Sequence, residues 1–498
     1  MSHAWWTGTE ESFAGNKIVI NVNNKNYIPY DLGQSMLMLP GDWLGEQLGR
    51  GIKDELKRQH FREAIVSFLI FIPLNLLAIL TCFRFLKLLK YSEKIAGLSS
   101  LIWSIATSVL FYSNFHQQNN QILLFVLVSY QMALAYAIER KKVLAILSGA
   151  ALGFAFTIRI TNILYMVGVL IFLIGSILNR EKKNAIAQIW RSLLWWVGGF
   201  APFVLLERVL NYARYGSWTI TSASLHLQIY AKADTLIEPN GVVAGTTNGF
   251  PFVKLLSRVN FDALLAPFFS PEKSIFLYDP LALPCLILMV LCWNFIPQDT
   301  KCYLKATIIV FLLHVYIYSW TKGWMYHPEW GARYHITSIH LLLIPLIPLL
   351  VKGAIEQIDR SKKTIEKILV WIARSTIILA VLIQFSAIAI DGTVEAYQQQ
   401  LNTGSKFRLA QRFKNISTLL SDSSKSNFDF IEVGSDPTKA DKLREQFEIN
   451  PGWNILPSIY KYKLEADYAS NRLVLLSIWL WSIIFVAAGT STIWIFVK

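Results

Sequence analysis

The sequence predicts an all-α polytopic membrane protein of about eleven transmembrane helices, and three observations carry that prediction. Apolar residues make up 54% of the chain and charged residues only 16%, whereas soluble chains carry roughly 25% charged residues. The mean hydropathy is +0.40. Apolar runs of about 20 residues, the length that crosses a bilayer, recur from residue 64 to the C-terminus. This composition excludes a disordered chain and a disulfide-stapled secreted fold. An outer-membrane barrel is excluded too, because it needs alternating strands of about ten residues.

Residues 1–63 read as an extracytoplasmic first loop. Within it NKIVINVNNKNYIPY (16–30) alternates like a short strand pair around an Asn-rich turn. GDWLGEQLGRGIKDELKRQHFREA (41–64) reads as an amphipathic interfacial helix, with Trp43, Leu44 and Leu48 toward the lipid headgroups. Residues 64–210 hold six spans, near 64–83, 95–113, 120–138, 143–158, 161–178 and 191–210. Residues 211–279 form an outer loop with a second interfacial helix at 250–269, which Pro267 ends. Four spans follow in 280–390, near 280–297, 303–320, 335–351 and 368–390. Residues 391–471 are polar and helix-tending, a small extracytoplasmic cap, and 472–498 holds the final span.

Sidedness follows from charge. The connections FRFLKLLKYSEK, ERKK, NREKKNAIAQIWR, PQDTKCYLK and KGAIEQIDRSKKTIEK, with Lys498, hold nineteen Lys and Arg against seven acids. The short connections on the other side hold three basic residues. Positive charge marks the cytoplasmic side, so the C-terminus is cytoplasmic and the long loops are extracytoplasmic. This set supplies +12 of the net charge of +14. The basic excess is therefore a topology signal, and no nucleic-acid partner is expected. The location implied is a cell (inner) membrane.

The four cysteines, Cys82, Cys285, Cys292 and Cys302, lie in spans or at their cytoplasmic ends, and no disulfide framework is expected. The start MSHAWWTGTEES lacks the basic and apolar regions of a signal peptide. An outer N-terminus ahead of eleven spans leads to the expectation that a first span lies upstream of Met1; a folded tail carried across the membrane is the alternative.

Ionisable groups in a bilayer are costly and usually functional, so candidate chemistry is sought where they meet the outer surface. Glu10, Glu11 and Asp31 are carboxylates of the outer N-terminal segment, able to serve as a general base or as solvated loop acids. In YDLGQSMLMLP (30–40), Gly33 permits a tight turn and Pro40 ends the run. There Tyr30 and Gln34 form either a structural turn or a substrate wall. His116 and Gln117 sit in FHQQNN (115–120), where one His among amides has no metal-ligand company. Arg159, in FTIRITN (156–162), either binds an anion such as a lipid phosphate or snorkels to headgroups. WTKGWMYHPEWGARYH (320–335) crowds three Trp, two Tyr and two His around Lys322, Glu329 and Arg333. An aromatic belt accounts for its Trp and Tyr but not for these charges. Arg333 can fork onto phosphate oxygens while aromatic faces pack a sugar or isoprenoid.

No P-loop, Gly-rich nucleotide fingerprint, HExxH, nucleophile elbow or DxD motif is present. A sugar donor, if there is one, is then a lipid carrier at the outer face rather than a cytosolic nucleotide sugar.

The succession of YDLGQSMLMLPGDWLG, FHQQNNQILLFVLVSYQMALAYAIERKKVLAILSGAALGFAFTIRITNIL, SPEKSIFLYDPLALP and WGARYHIT resembles the type-C glycosyltransferases over residues 5–350. These are the polyprenyl-phosphate-sugar-dependent integral membrane enzymes related to protein O-mannosyltransferases and to the aminoarabinose transferase of lipid A. The resemblance implies a multi-span helical fold whose active site faces the periplasm or lumen. It implies a polyprenyl-phosphate sugar donor, a glycan, lipid or protein acceptor, and a catalytic carboxylate just after the first span. Glu10 and Glu11 are the only acids before Tyr30. Either they take that role, or the family's Asp lies upstream of Met1 and the chain as it stands is inactive, or the chain is a non-catalytic relative. By the same resemblance Arg333, followed by Tyr334, approaches the donor phosphate. Arg159 lines the cavity edge, His116 and Gln117 sit near the acceptor, and Lys273 is a further phosphate ligand. No cofactor is implied, and a divalent metal is left open.

The function expected is thus an inverting glycosyl transfer at the outer face, with a carboxylate base and Arg/Lys stabilisation of the leaving phosphate. The alternatives are a lipid-linked sugar flippase or transporter and a degenerate scaffold. Polar groups gather at one face of the spans rather than at mid-depth, which favours the interfacial enzyme.

Overall fold

The computed structural model describes residues 20–22, 25–27, 30–113, 116–181, 183–222, 224, 259–320, 330–356, 364–389, 395, 398, 405, 407–421, 479, 483 and 490. Apart from one hairpin, the described elements are helical. The hairpin pairs β1 (Ile20–Val22) antiparallel with β2 (Lys25–Tyr27), with Ile20 opposite Tyr27. The alternation in the sequence located it correctly.

Helix α1 (Gly33–Gly49) and helix α2 (Glu55–Val66) follow as an antiparallel pair. The sequence predicts one helix over 41–64 and a stop at Pro40. Instead Pro40 lies inside α1, and the break falls after Gly49. Contacts at both ends of α1 account for the difference. A side chain at Gly33 would collide with the Thr157–Ile158 backbone, and one at Gly45 would approach Arg62 Cα to 2.8 Å. With both ends packed, the single backbone hydrogen bond that Pro40 removes is outweighed. Arg62 sits between Glu46 (2.9 Å) and Asp42 (3.8 Å), which closes the pair. Trp43 and Leu48 are exposed, at 51% and 60%, and Leu44 is half-buried.

A π-helical turn (Ser67–Phe71) joins α2 to α3 (Ile72–Leu88). The next helices are α4 (Glu93–Ile105), α5 (Val109–Ser113), α6 (Asn119–Glu139), α7 (Lys142–Ile158), α8 (Ile163–Leu178) and α9 (Ala185–Tyr215). Beyond them lie α10 (Phe261–Phe269), α11 (Ile275–Tyr278), α12 (Ala282–Leu291), α13 (Gln298–Tyr318), α14 (Ile336–Leu343), α15 (Ile347–Glu356), α16 (Thr364–Ala389) and α17 (Arg408–Ser421). Local chemistry marks several ends. Ser92 Oγ caps α4 by accepting from the Ile95 amide, and Asn260 caps α10 by accepting from the Ala263 amide. Gly216, at φ +65°, closes α9 in the left-handed region. Pro267 lies within α10 rather than ending it, and residues 250–258 of that expected helix are outside the described residues.

Among the described residues six helices are long and apolar enough to cross a membrane: Phe61–Leu88, Asn119–Glu139, Ile160–Leu178, Ala185–Tyr215, Gln298–Tyr318 and Val370–Ala389. The α14–α15 pair, bent by 44°, makes a seventh if it counts as one span. At the other positions where the sequence predicts spans, the helices are shorter. The 95–113 run breaks at Ala106–Ser108 into α4 and α5, α7 has 17 residues, and α12 has ten before a 3-10 turn. The expected final span, 472–496, lies almost wholly outside the described residues.

Helix α6 is the centre of the bundle, with 78% of its apolar window buried, against 22% for α9. Rings from α6 and three neighbouring helices interlock: Phe85 and Tyr130 lie 4.9 and 5.0 Å from Tyr303, and Phe172 completes the group. Helices α7 and α9 approach most closely at Gly149 and Gly199, where an added Cβ would overlap the opposite backbone at Trp196 and Ile146. Small residues permit such contact inside a membrane. Ser129 and Ser148 exchange hydrogen bonds between α6 and α7, and Trp196 Nε1 donates to Ser148 Oγ. The outer face of α9 exposes Ile186, Trp190, Leu194, Val197 and Leu205, an apolar surface suited to lipid.

Candidate functional site

The site is built where α6 begins, where α7 ends and where the chain enters α14. Helix α7 stops because Arg159 leaves the helical region, at φ −156° and ψ 122°, before the 3-10 turn Ile160–Asn162. Asn162 Nδ2 donates to Ala155 O at 2.6 Å and fastens this turn to the helix end. The Arg159 guanidinium then lies over the Tyr334 ring, 4.8 Å from its centroid.

Arg333 reaches the same ring from the neighbouring position, 5.8 Å from the centroid. The two guanidiniums are therefore no farther apart than those two distances combined. The approach to Arg333 needs Gly331, at φ +64°, with Tyr278 packed where a side chain would begin. Asn119 Nδ2, at the first residue of α6, donates to the Arg333 carbonyl at 2.8 Å. Beneath Tyr334 lie Tyr318 (4.9 Å between centroids) and then His335, 5.6 Å from Tyr318. The Tyr318 hydroxyl donates to Thr161 Oγ1 at 3.4 Å, which ties this floor back to the Arg159 turn.

Asp31 stands behind Arg159. It is 8% exposed, accepts from the Ile160 amide at 2.9 Å, and accepts from the Ser222 hydroxyl. Burial pushes its carboxyl up to about 6, against the pull of those two hydrogen bonds. Glu207 on α9 adds to the rise and Arg159 opposes it. The segment is clamped from α9, where Arg214 Nη1 donates to the Tyr30 carbonyl at 3.0 Å and lies over the Tyr27 ring. Arg208 and Asn211 hold Glu207 in turn.

Gln34 and His116 form a second joint. Gln34 Nε2 donates to the His116 carbonyl, and His116 Nε2 lies 2.6 Å from Ser67 Oγ in the π-helical turn. The imidazole stacks on Phe71 at 4.5 Å, and burial lowers its pKa, so the ring is neutral at pH 7. Gln117 accepts through its carbonyl from Gln121 Nε2.

Of the residues singled out from the sequence, Tyr30, Asp31, Arg159, Arg333 and Tyr334 thus meet in one cluster, and Gln34, His116 and Gln117 border it. Glu10, Glu11, Lys322 and Glu329 lie outside the described residues. Lys273 is 2% exposed in the turn before α11. Pro271 O in its segment accepts from the Tyr278 hydroxyl, and Tyr278 packs edge-on against Trp330 and at Gly331, on the approach to Arg333.

Sequence reasoning missed three groups. Tyr318 carries no signal, being one Tyr at the end of an apolar span. Ser222 and Glu207 lie far from Asp31 in sequence, and only folding joins them. Asp279, 1% exposed, accepts from the Ser108 amide and hydroxyl at 2.6 Å each and faces His340 Nε2 at 3.3 Å. It falls within the quoted SPEKSIFLYDP segment, but its partner Ser108 lies at the unannounced break between α4 and α5.

Two guanidinium forks over a tyrosine floor suit an anion with several oxygens, phosphate above all, attached to a group that packs on rings. Among the described residues no three His, Cys, Asp or Glu side chains gather as a metal site would need. No known protein family, curated protein or solved structure matches this chain.

Proposed function

We propose that the chain is a multi-pass membrane glycosyltransferase of the type-C kind, moving a sugar from a polyprenyl-phosphate carrier to an acceptor at the extracytoplasmic face. The observation that carries the reading is the pair Arg159 and Arg333 sharing the Tyr334 ring. The resemblance in sequence runs in the same direction. In this scheme Glu10 or Glu11 takes the proton of an acceptor hydroxyl or amine. The acceptor attacks the anomeric carbon, the bond from that carbon to the phosphate oxygen breaks, and polyprenyl phosphate leaves. One displacement inverts the anomeric centre. Negative charge grows on the leaving phosphate, and fixed guanidiniums there stabilise the transition state more than the ground state.

The proposal includes eleven crossings of a cell (inner) membrane, with the C-terminus cytoplasmic. The short or broken helices α4–α5, α7, α12 and α14–α15 and residues 472–496 then complete the six long ones. Transfer of labelled sugar from a polyprenyl-phosphate donor, measured in membranes, tests the activity. Replacing Arg333 with Ala should lower turnover about 10²–10³-fold, the loss typical for one preorganised donor to developing charge. Normal turnover by Arg333→Ala would sink the assignment.

A second reading draws on the Asp279–Ser108–His340 group, buried at a helix break. Buried ionisable residues and broken helices also mark transporters. Movement of a lipid-linked sugar across sealed vesicles without covalent change would favour that reading over the transferase.

A further inference from the structure

We propose that Asp31 is a positioning residue of the anion site, acting only through Arg159. This rests on the phosphate-binding reading for its consequence, though not for its geometry. Both carboxylate oxygens are engaged, one by the Ser222 hydroxyl and one by the Ile160 amide. A carboxylate so occupied is poorly placed to take a proton from a substrate. It is well placed to fix a backbone. The amide it holds belongs to the residue directly after Arg159, so the clasp sets the extended peptide from which the guanidinium reaches Tyr334.

The other face of the clasp is rigid. Gly33 packs its Cα directly on the Thr157–Ile158 backbone, and Arg214 holds the Tyr30 carbonyl from α9. The Asp31 carboxylate is thus the titratable link between the segment that α9 holds and the turn that carries Arg159. When it is ionised, its hydrogen bond to the Ile160 amide is charge-assisted and roughly twice as strong as a neutral one. Protonation weakens the clasp and loosens the turn at Ile160, which Asn162 still fastens to the helix end. The charged groups facing Asp31 are Arg159 from the turn and Glu207 from α9, the latter paired with Arg208, while Arg214 sits one residue away on Tyr30. Burial places the changeover at about 6.

Two measurements on the full-length protein in detergent separate this inference from the functional reading. The first is hydrogen–deuterium exchange of the peptide carrying Ile160, corrected for the intrinsic rate. Wild type should lose about tenfold in protection between pH 7.5 and pH 5, the scale of one hydrogen bond to a charged group. Asp31→Ala should be unprotected at both values. Asp31→Asn, whose amide oxygen still accepts from Ile160, should show partial protection that does not change with pH. Equal wild-type protection at both pH values overturns the inference, and so does an Asp31→Ala variant with wild-type protection.

The second is binding of citronellyl methyl phosphate, a diester with one charge throughout this range, so that only the protein titrates. Wild-type affinity should weaken about tenfold at pH 5, and Arg159→Ala should bind weakly and without pH dependence. Wild-type affinity that is constant with pH overturns the link to Arg159. No binding by wild type at any pH sinks the phosphate reading, and the exchange result still decides the role of Asp31.

Discussion

Arg159 and Arg333 come from turns 174 positions apart in the chain, yet share one aromatic ring. An arginine's planar fork matches two oxygens of a phosphate at once, and a lysine at either position would supply a point charge without the fork. Asp31, behind them, has a cost that can be measured. Its folded-state pKa, at about 6, is raised above the ordinary value of 3.8. The protonated form therefore fits the fold best. Stability from this group is fully present below about 4 and is lost as pH rises through 6. Relative to Asp31→Asn, wild type should lose roughly 3 kcal/mol between pH 4 and pH 8, from about two pKa units at 1.36 kcal/mol each. Thermal unfolding of both proteins in one detergent across that range checks this. A wild-type curve parallel to the variant would refute the buried, strained carboxylate. The ionised state that strengthens the Ile160 clasp is thus the less stable one overall, as functional sites often are.

Elements show why some of this was legible and some was not. Long apolar runs mark α6, α8, α9 and α13 because burial or lipid contact on most sides leaves few polar positions to blur the signal. The β1–β2 hairpin was legible through alternation alone. The break at Ala106–Ser108 was not, since it is stabilised by Asp279 accepting from the Ser108 amide, a contact spanning 171 residues. Pro40 misled for the same reason: tertiary contacts at Gly33 and Gly45 keep α1 helical through it. The candidate cations could be seen because charge at a span boundary is conspicuous. Tyr318 in their floor stands at the end of an apolar span with no such signal. The α7–α9 contact gives a test at this scale. Gly149 faces the Trp196 backbone with no room for a Cβ. Gly149→Leu should cost at least 1–3 kcal/mol through overpacking, seen as a lower unfolding temperature in detergent. An unchanged temperature would mean the two helices are not in backbone contact.

At the scale of the whole molecule, the two ends of the bundle differ in chemistry. At one end Arg180 bonds Asp299 through both oxygens, and Arg140 meets Glu181, joining the connections after α6, α8 and before α13. These are three of the connections whose excess of basic residues marks them as cytoplasmic in the sequence. At the other end, a full α6 length away, lie Asn119, Arg159, Arg333 and Asp31. If the basic end is inside, the guanidinium pair faces the extracytoplasmic side, where lipid-carried sugars are used. Membrane-impermeant maleimide can decide the orientation in a variant with its four native cysteines replaced. Lys141 is 69% exposed at the basic end, and Trp218, just past α9, is 53% exposed near the other. In intact cells Trp218→Cys should be labelled and Lys141→Cys should not, and Lys141→Cys should react only after the membrane is opened. The reverse pattern would put Arg159 and Arg333 in the cytosol. There the carrier's sugar would be out of reach, and the proposed transfer could not take place.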